Sequence, residues 1–157
     1  MNDRHVDLEI QGGIIRRFTE LVLDYTGTLS LDGVLLPGVA ERLVLIAANL
    51  HITIMTADTF GKAAEQTKDL PLDFKIIKTG TEKADAVSSM GGKNVIAIGN
   101  GRNDVPMMRQ SGLGIAVIGP EGTAGELVGA ADVIVNDIRD ALDLIIHPLR
   151  LKATLRD

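Results

Sequence analysis

Along the chain, short apolar runs alternate with stretches whose apolar residues fall at helical spacing. The runs lie at 21–24, 52–55, 74–77, 94–98, 114–118 and 133–135. Strands of a parallel sheet read as such continuous runs, because both of their faces are covered. Between the runs, Val39, Leu43, Ile46 and Ala47 mark one apolar helix face behind Pro37, a residue suited to a first helical turn. Further helices are predicted from Phe60, capped by Asp58 and broken by Pro71; over 82–90, ended by Gly91 and Gly92; around Met107 and Met108; over 122–129; and over 138–146, stopped by Pro148. This alternation predicts an α/β fold: a doubly wound, Rossmann-like parallel sheet in a three-layer α/β/α arrangement, with right-handed crossovers.

Two segments depart from the alternation. Residues 6–10 switch between apolar and charged, turn at Gln11-Gly12-Gly13 and return over 14–18, as a half-exposed hairpin does. A second, short hairpin signal lies over 30–36, around Asp32-Gly33. The tail, 148–157, has mixed charge and is expected to fray or to dock on a partner. One domain over 1–157 is expected, with an N-terminal β-hairpin (5–18), a core (20–147) and the tail; this length suffices for one good core.

Composition removes several function classes. Aromatic residues are only 3% of the chain, too few for a base-stacking surface, and a net charge of −5 disfavours nucleic acid. Without cysteine there are no disulfides or thiolate metal sites. His5, His51 and His147 lie far apart and show no ligand spacing. The apolar region 34–55 is interrupted by Pro37, Glu41, Arg42 and His51, so it is not a membrane span, and residues 1–9 lack the apolar core of a signal peptide. The expectation is a soluble, cytoplasmic protein with neither nucleic-acid nor membrane partners.

In doubly wound sheets ligands bind at the carboxyl ends of the strands. The polar residues predicted there are Asp24, Thr26, Thr56, Asp58, Lys83, Asn100 and Asp104. Asp24 can attack phosphorus or hold a hard cation. Thr56 can donate to a phosphoryl oxygen, Lys83 can offset phosphoryl charge, and Asn100 and Asp104 offer oxygen ligands for Mg²⁺. Each has a plainer reading too: a turn-shaping Asp, a capping Thr, a surface Lys, a turn with a helix cap. Several strand ends with matching chemistry outweigh that.

The succession Asp24-Tyr25-Thr26-Gly27-Thr28, then Thr56, then Lys83, then Gly99-Asn100-Gly101-Arg102-Asn103-Asp104 resembles the haloacid dehalogenase-like superfamily of phosphatases and phosphotransferases. The span is about 21–135. Within it the chain looks most like the phosphorylation domain of P-type ATPases, whose hallmark is D-K-T-G-T, followed by T-G-D and G-D-G-x-N-D-x-P; here 55–58 and 99–106 are similar to the latter two. The resemblance implies a soluble relative that forms an aspartyl-phosphate on Asp24. Mg²⁺ would be held by Asp24, the Thr26 carbonyl, and Asn100 or Asp104. Thr56, Ala57, Lys83 and Asn103 would hold the phosphoryl group.

Two departures qualify this. Thr26 stands where phosphatases of the superfamily usually carry an acid–base Asp, help worth ~10²–10⁴-fold. Slow turnover or a long-lived acyl-phosphate is therefore expected. Asn100 stands where Asp is usual, which removes one negative charge from the cation site. The segments between Asp24 and Thr56 and between Thr56 and Lys83 have no room for a cap domain. Capless relatives act on large phosphorylated partners or use a neighbouring subunit as a lid. The expected partner is thus a phosphorylated small molecule or protein, with a homo-oligomer covering the site. The alternative is a regulatory phosphate- or Mg²⁺-binding module that has lost catalysis at Thr26 and Asn100.

Overall fold

In the computed structural model, which describes residues 3–157, the chain opens with an antiparallel hairpin of β1 (Val6–Ile10) and β2 (Ile14–Phe18) and passes into β3 (Glu20–Leu23). A short pair, β4 (Ser30–Leu31) and β5 (Val34–Leu35), precedes α1 (Val39–Ala47) and β6 (His51–Thr56). Then come α2 (Ala63–Thr67), β7 (Asp73–Ile76), α3 (Gly80–Ser89), β8 (Val95–Gly99), α4 (Val105–Gln110) and β9 (Leu113–Val117). The chain closes with α5 (Gly125–Ala130), β10 (Val133–Val135), α6 (Ile138–Ile146) and α7 (Pro148–Leu155).

Six strands form one parallel sheet in the order β10-β9-β8-β3-β6-β7. From β3 the chain builds outward through β6 and β7, then returns to the other side for β8. The order therefore reverses at β3, and the crevice beyond its carboxyl end is the place where such sheets take ligands.

Alternation along the strands feeds two cores. Leu21, Leu23, Ile52, Ile54, Ile96 and Ile98 pack with Leu43 of α1 and Leu142 of α6. Val22, Val95 and Ala97 face the other way, with Val87 of α3, Met107 and Met108 of α4 and Leu127 of α5. Burial on both faces is why these strands read as unbroken apolar runs. The architecture is the three-layer α/β/α sandwich expected. Between β3 and β6 stand only the β4–β5 pair and α1, and between β6 and β7 only α2, so no cap domain is inserted.

Some boundaries differ from the sequence reading. The helix placed from Phe60 to Pro71 is shorter: α2 begins at Ala63 and stops at Thr67, whose hydroxyl donates to the Ala63 carbonyl at 2.8 Å. Asp58, at a left-handed φ of 53°, still caps it from outside, its Oδ1 accepting from the Lys62 and Ala63 N–H groups at 3.1 and 3.0 Å. α5 starts at Gly125 rather than at Gly122. Most of the tail is helical. Pro148 opens α7 as its first-turn proline, Leu151 is buried, and Lys152 Nζ lies 2.8 Å from Glu9 Oε2 of β1. This last helix thus docks on the hairpin of its own chain, in the core shared by Leu8 and Phe18.

Candidate active site

The Asp24 N–H donates to the Ile98 carbonyl at 3.0 Å, so β3–β8 pairing runs one residue beyond the strand and delivers the Asp24 carboxylate to the crevice. The chain then turns sharply, with the Thr28 and Leu29 N–H groups donating to the Tyr25 carbonyl at 3.2 and 2.9 Å. Gly27 has φ of 74°, and a Cβ there would fall 2.5 Å from Asn100 Nδ2. Both backbone and space require glycine. Tyr25 turns inward, and its buried hydroxyl donates to the Gly33 carbonyl at 2.8 Å, tying the β4–β5 pair to the site. Burial pushes the Tyr25 phenol up to about 12, which keeps it a donor.

Lys83 comes from the first turn of α3, whose Thr79 cap accepts from the Glu82 N–H at 3.2 Å. A cation in a first turn opposes the helix dipole. Here two carboxylates reverse that: Lys83 Nζ lies 2.9 Å from Asp24 Oδ1 and 2.7 Å from Asp104 Oδ1. Lys83 and Asp104 are fully buried, and Asp24 is nearly so. Burial disfavours the ammonium, but Asp24 and Asp104 together outweigh it and raise the Lys83 pKa. Burial, and then the Asp104 charge, push the Asp24 carboxyl up to about 7 against the pull of Lys83 and Thr28. Two carboxylates against one ammonium leave this buried cluster short of positive charge.

Asp104 is fully buried and does not line the cleft. Its Oδ1 takes Lys83, and its Oδ2 accepts the Asn100 and Gly101 N–H groups at 3.1 and 3.0 Å. Both oxygens of this residue, expected from the sequence to hold a cation, are engaged by protein donors. Asn100 is held by its amide: Nδ2 donates to the Gly122 carbonyl at 3.0 Å, which turns Oδ1 toward Thr28. The Thr28 hydroxyl lies 3.0 Å from that oxygen and 3.1 Å from Asp24 Oδ2, and one proton serves both acceptors.

Asp24, Thr26, Thr56, Ala57, Asn100 and Asn103 line one cleft of about 230 Å³. Lys83 and Asp104 are buried and do not line it; they join it through the ion pair of Lys83 with Asp24. The Thr56 hydroxyl accepts the Asp58 N–H at 2.9 Å and keeps its own proton to donate. The eight residues to which the sequence assigned a catalytic, phosphate-binding or metal role thus lie in or directly behind one cleft, whereas Asp58 caps α2 beside it. Three others escaped that reading. Thr28 closes the Asp24–Thr28 motif and bridges Asp24 to Asn100. Thr59 and Glu121 also line the cleft. Nothing in the sequence pattern marked Glu121, because its glycine-rich loop reaches the site only through tertiary packing.

The donor set fits a hard cation. Asp24, Thr26 and Asn100 offer only oxygen, and no group of three His, Cys, Asp or Glu side chains suited to a metal occurs among the described residues. Mg²⁺ needs just one or two carboxylates because it keeps several waters. The charge deficit around Asp24 favours it.

A family model for haloacid dehalogenase-like hydrolases matches residues 49–137. An uncharacterized protein of Methanocaldococcus jannaschii is 51% identical over 65 residues, which cover 41% of this chain and 70% of that protein. Among solved structures, the 3-deoxy-D-manno-octulosonate 8-phosphate phosphatase of Moraxella catarrhalis, in complex with magnesium, phosphate and KDO, superposes with a TM-score of 0.62 at 18% identity over 87% of this chain and 92% of that one. The cobalt-bound deoxy-D-mannose-octulosonate 8-phosphate phosphatase of Haemophilus influenzae gives 0.64 at 15% identity, covering 83% and 85%. At these identities the likeness is one of fold. No helix among the described residues is long and apolar enough to cross a membrane.

Proposed function

The chain belongs to the haloacid dehalogenase-like hydrolases, and from that premise we propose that it is a Mg²⁺-dependent phosphatase or phosphotransferase acting through an aspartyl-phosphate on Asp24. The observation that carries this reading is the buried Asp24–Lys83–Asp104 cluster opening on a small oxygen-lined cleft. Phosphatase neighbours of the same fold, one solved with magnesium and phosphate, lend it support.

In the proposed reaction the Asp24 carboxylate attacks phosphorus, and Lys83 shields the charge between attacker and phosphoryl group. Thr56 donates to a phosphoryl oxygen, and Asn103, which lines the same cleft, donates to the same group. Thr28 holds the second Asp24 oxygen and keeps the carboxylate aimed. Asp104 acts through Lys83, positioning it without touching substrate. Asp24, the Thr26 carbonyl and Asn100 would hold Mg²⁺, which supplies Lewis-acid charge to the phosphoryl oxygens. Water then releases phosphate. Substrates are phosphorylated small molecules or proteins, and a neighbouring copy covers the capless cleft in a homo-oligomer.

Incubation with Mg²⁺ and acetyl phosphate or p-nitrophenyl phosphate tests the reading. Slow hydrolysis, strict need for Mg²⁺ and loss of activity in Asp24→Asn are expected, since an amide is a poor nucleophile. A protein inert to every phosphate ester that still gains thermal stability from Mg²⁺ through Asp24 is instead a regulatory module, the reading that Thr26 and Asn100 favour. A clean monomer in sedimentation that remains active on small esters rules out the covering neighbour.

A further inference from the structure

Thr26 leaves the proposed phosphatase without a carboxylate at the turn that usually moves protons. Among the residues lining the cleft only two carry carboxylates, Asp24 and Glu121. Glu121 belongs to the loop between β9 and α5, and that loop is bound to the site at several points. The Asn100 carbonyl accepts the Thr123 hydroxyl at 2.9 Å and the Ala124 N–H at 2.8 Å. Asn100 Nδ2 donates to the Gly122 carbonyl. The loop also lies against the Asp24–Thr28 turn. A Cβ on Gly119 would stand 2.9 Å from the Gly27 carbonyl oxygen, and a Cβ on Gly27 would stand 3.3 Å from Glu121 Cβ. The root of the Glu121 side chain therefore sits over Gly27, next to Thr26, with its carboxyl carbon two bonds further out.

We propose that Glu121 is the proton donor and acceptor of this site, taking over the work that Thr26 cannot do; this rests on the aspartyl-phosphate reading above. In the first step Asp24 forms a bond to phosphorus, the ester P–O bond breaks, and the leaving oxygen takes the proton of the Glu121 carboxyl. In the second step water attacks phosphorus, Glu121 takes a proton from it, and the bond to Asp24 breaks, returning both carboxyls to their starting states with release of alcohol and phosphate. At rest Glu121 Oε2 accepts the Asp32 N–H at a long 3.3 Å, and the side chain is exposed. Such a bond holds it weakly, so it turns into the cleft at small cost.

Leaving-group dependence of kcat/KM with Mg²⁺ separates a proton-transfer role from a structural one. An alkyl phosphate such as glycerol phosphate needs its leaving oxygen protonated, whereas p-nitrophenolate departs without a proton. Glu121→Gln should lower kcat/KM for the alkyl ester by about 10²–10⁴-fold and for the aryl ester by less than about 10-fold. Thr26→Asp in the Glu121→Gln background should restore the alkyl ester. Equal losses on both esters, or no loss, overturn the role of Glu121 while leaving Asp24 catalysis standing. A parent protein that cleaves neither ester and carries no phosphate on Asp24 overturns the phosphatase reading and this inference together. Because Glu121 is exposed, the Gln variant folds, and a melting curve checks it.

Discussion

Lys83 Nζ stands closer to Asp104 than to Asp24, at 2.7 against 2.9 Å, although all three groups share one buried pocket. The inner pair is fully enclosed and the outer carboxylate meets the cleft. Removing one partner from a buried ion pair leaves an uncompensated charge and costs about 3–5 kcal/mol. Lys83→Met and Asp104→Leu should each lower stability by an amount in that range. The double variant should be less destabilised than the two losses added together. Urea denaturation of the four proteins checks it.

The pH dependence of the metal-free protein follows from Asp24. Its pKa rises from the ordinary 3.8 to about 7 on folding, through burial and then the Asp104 charge. Between those values the folded state holds more protons than the unfolded one, so this contribution is complete below the lower value and is lost as pH climbs through the upper. Asp7 and Asp137, lowered by hydrogen bonds from Arg17 and Arg139, act the other way, but below that window. Lys83, raised by its partners, loses its contribution only in the alkaline range. Melting temperatures in EDTA should fall from about pH 5 to about pH 8, and Asp24→Asn should flatten the slope.

Mg²⁺ should reverse that slope. A cation binds the ionised carboxylate, so its stabilisation by mass action should be larger at pH 8 than at pH 5. Asn100→Asp gives the cation a second carboxylate ligand beside Asp24 and should tighten binding by about tenfold or more, since charge count sets affinity at oxygen sites. The same change removes the Nδ2 bond to Gly122, so the variant should melt lower without metal and gain more from it. Titration of the melting temperature with Mg²⁺ at both pH values reads this.

Thr26→Asp should raise turnover of phosphate esters in Mg²⁺, toward the ~10²-fold end of what acid–base help supplies. An exposed Glu121 is less firmly aimed than a carboxylate built on the Asp24–Thr28 turn would be. A folded Thr26→Asp protein that binds Mg²⁺ and gains no rate would falsify the account of a site slowed at proton transfer.

Gly27→Ala should destabilise by about 1–3 kcal/mol, because it combines strain at a left-handed φ with a clash on the Asn100 amide. The same variant should lose Mg²⁺-induced stabilisation, as Asn100 is displaced. Gly12→Ala shares a positive φ but meets nothing within 4 Å. It should leave the Mg²⁺ response intact, which separates backbone strain from damage to the site.

The order of strands and helices was written in local patterns. Two-faced burial makes continuous apolar runs, and the runs at Leu21–Leu23 and Val95–Ile98 became the central strands for that reason. Asp24, Thr56, Lys83 and Asn100 were legible because each lies at a strand's carboxyl end or in the helical turn that follows one, and carries chemistry suited to a crevice. What the tertiary structure alone decided was which of them face outward. Asp104 turned into the interior because the Asn100 and Gly101 amides and Lys83 together satisfy a buried carboxylate that no local pattern foretells. Glu121 joined the cleft because the loop beyond β9 folds over Gly27, a contact between residues 94 positions apart that no local pattern records. The tail became α7 because Leu151 is buried in a core that it shares with Leu8 and Phe18 at the other end of the chain. Spacing along a sequence records how a segment folds on itself; side-chain direction at a site depends on partners that only the packed sheet brings within reach.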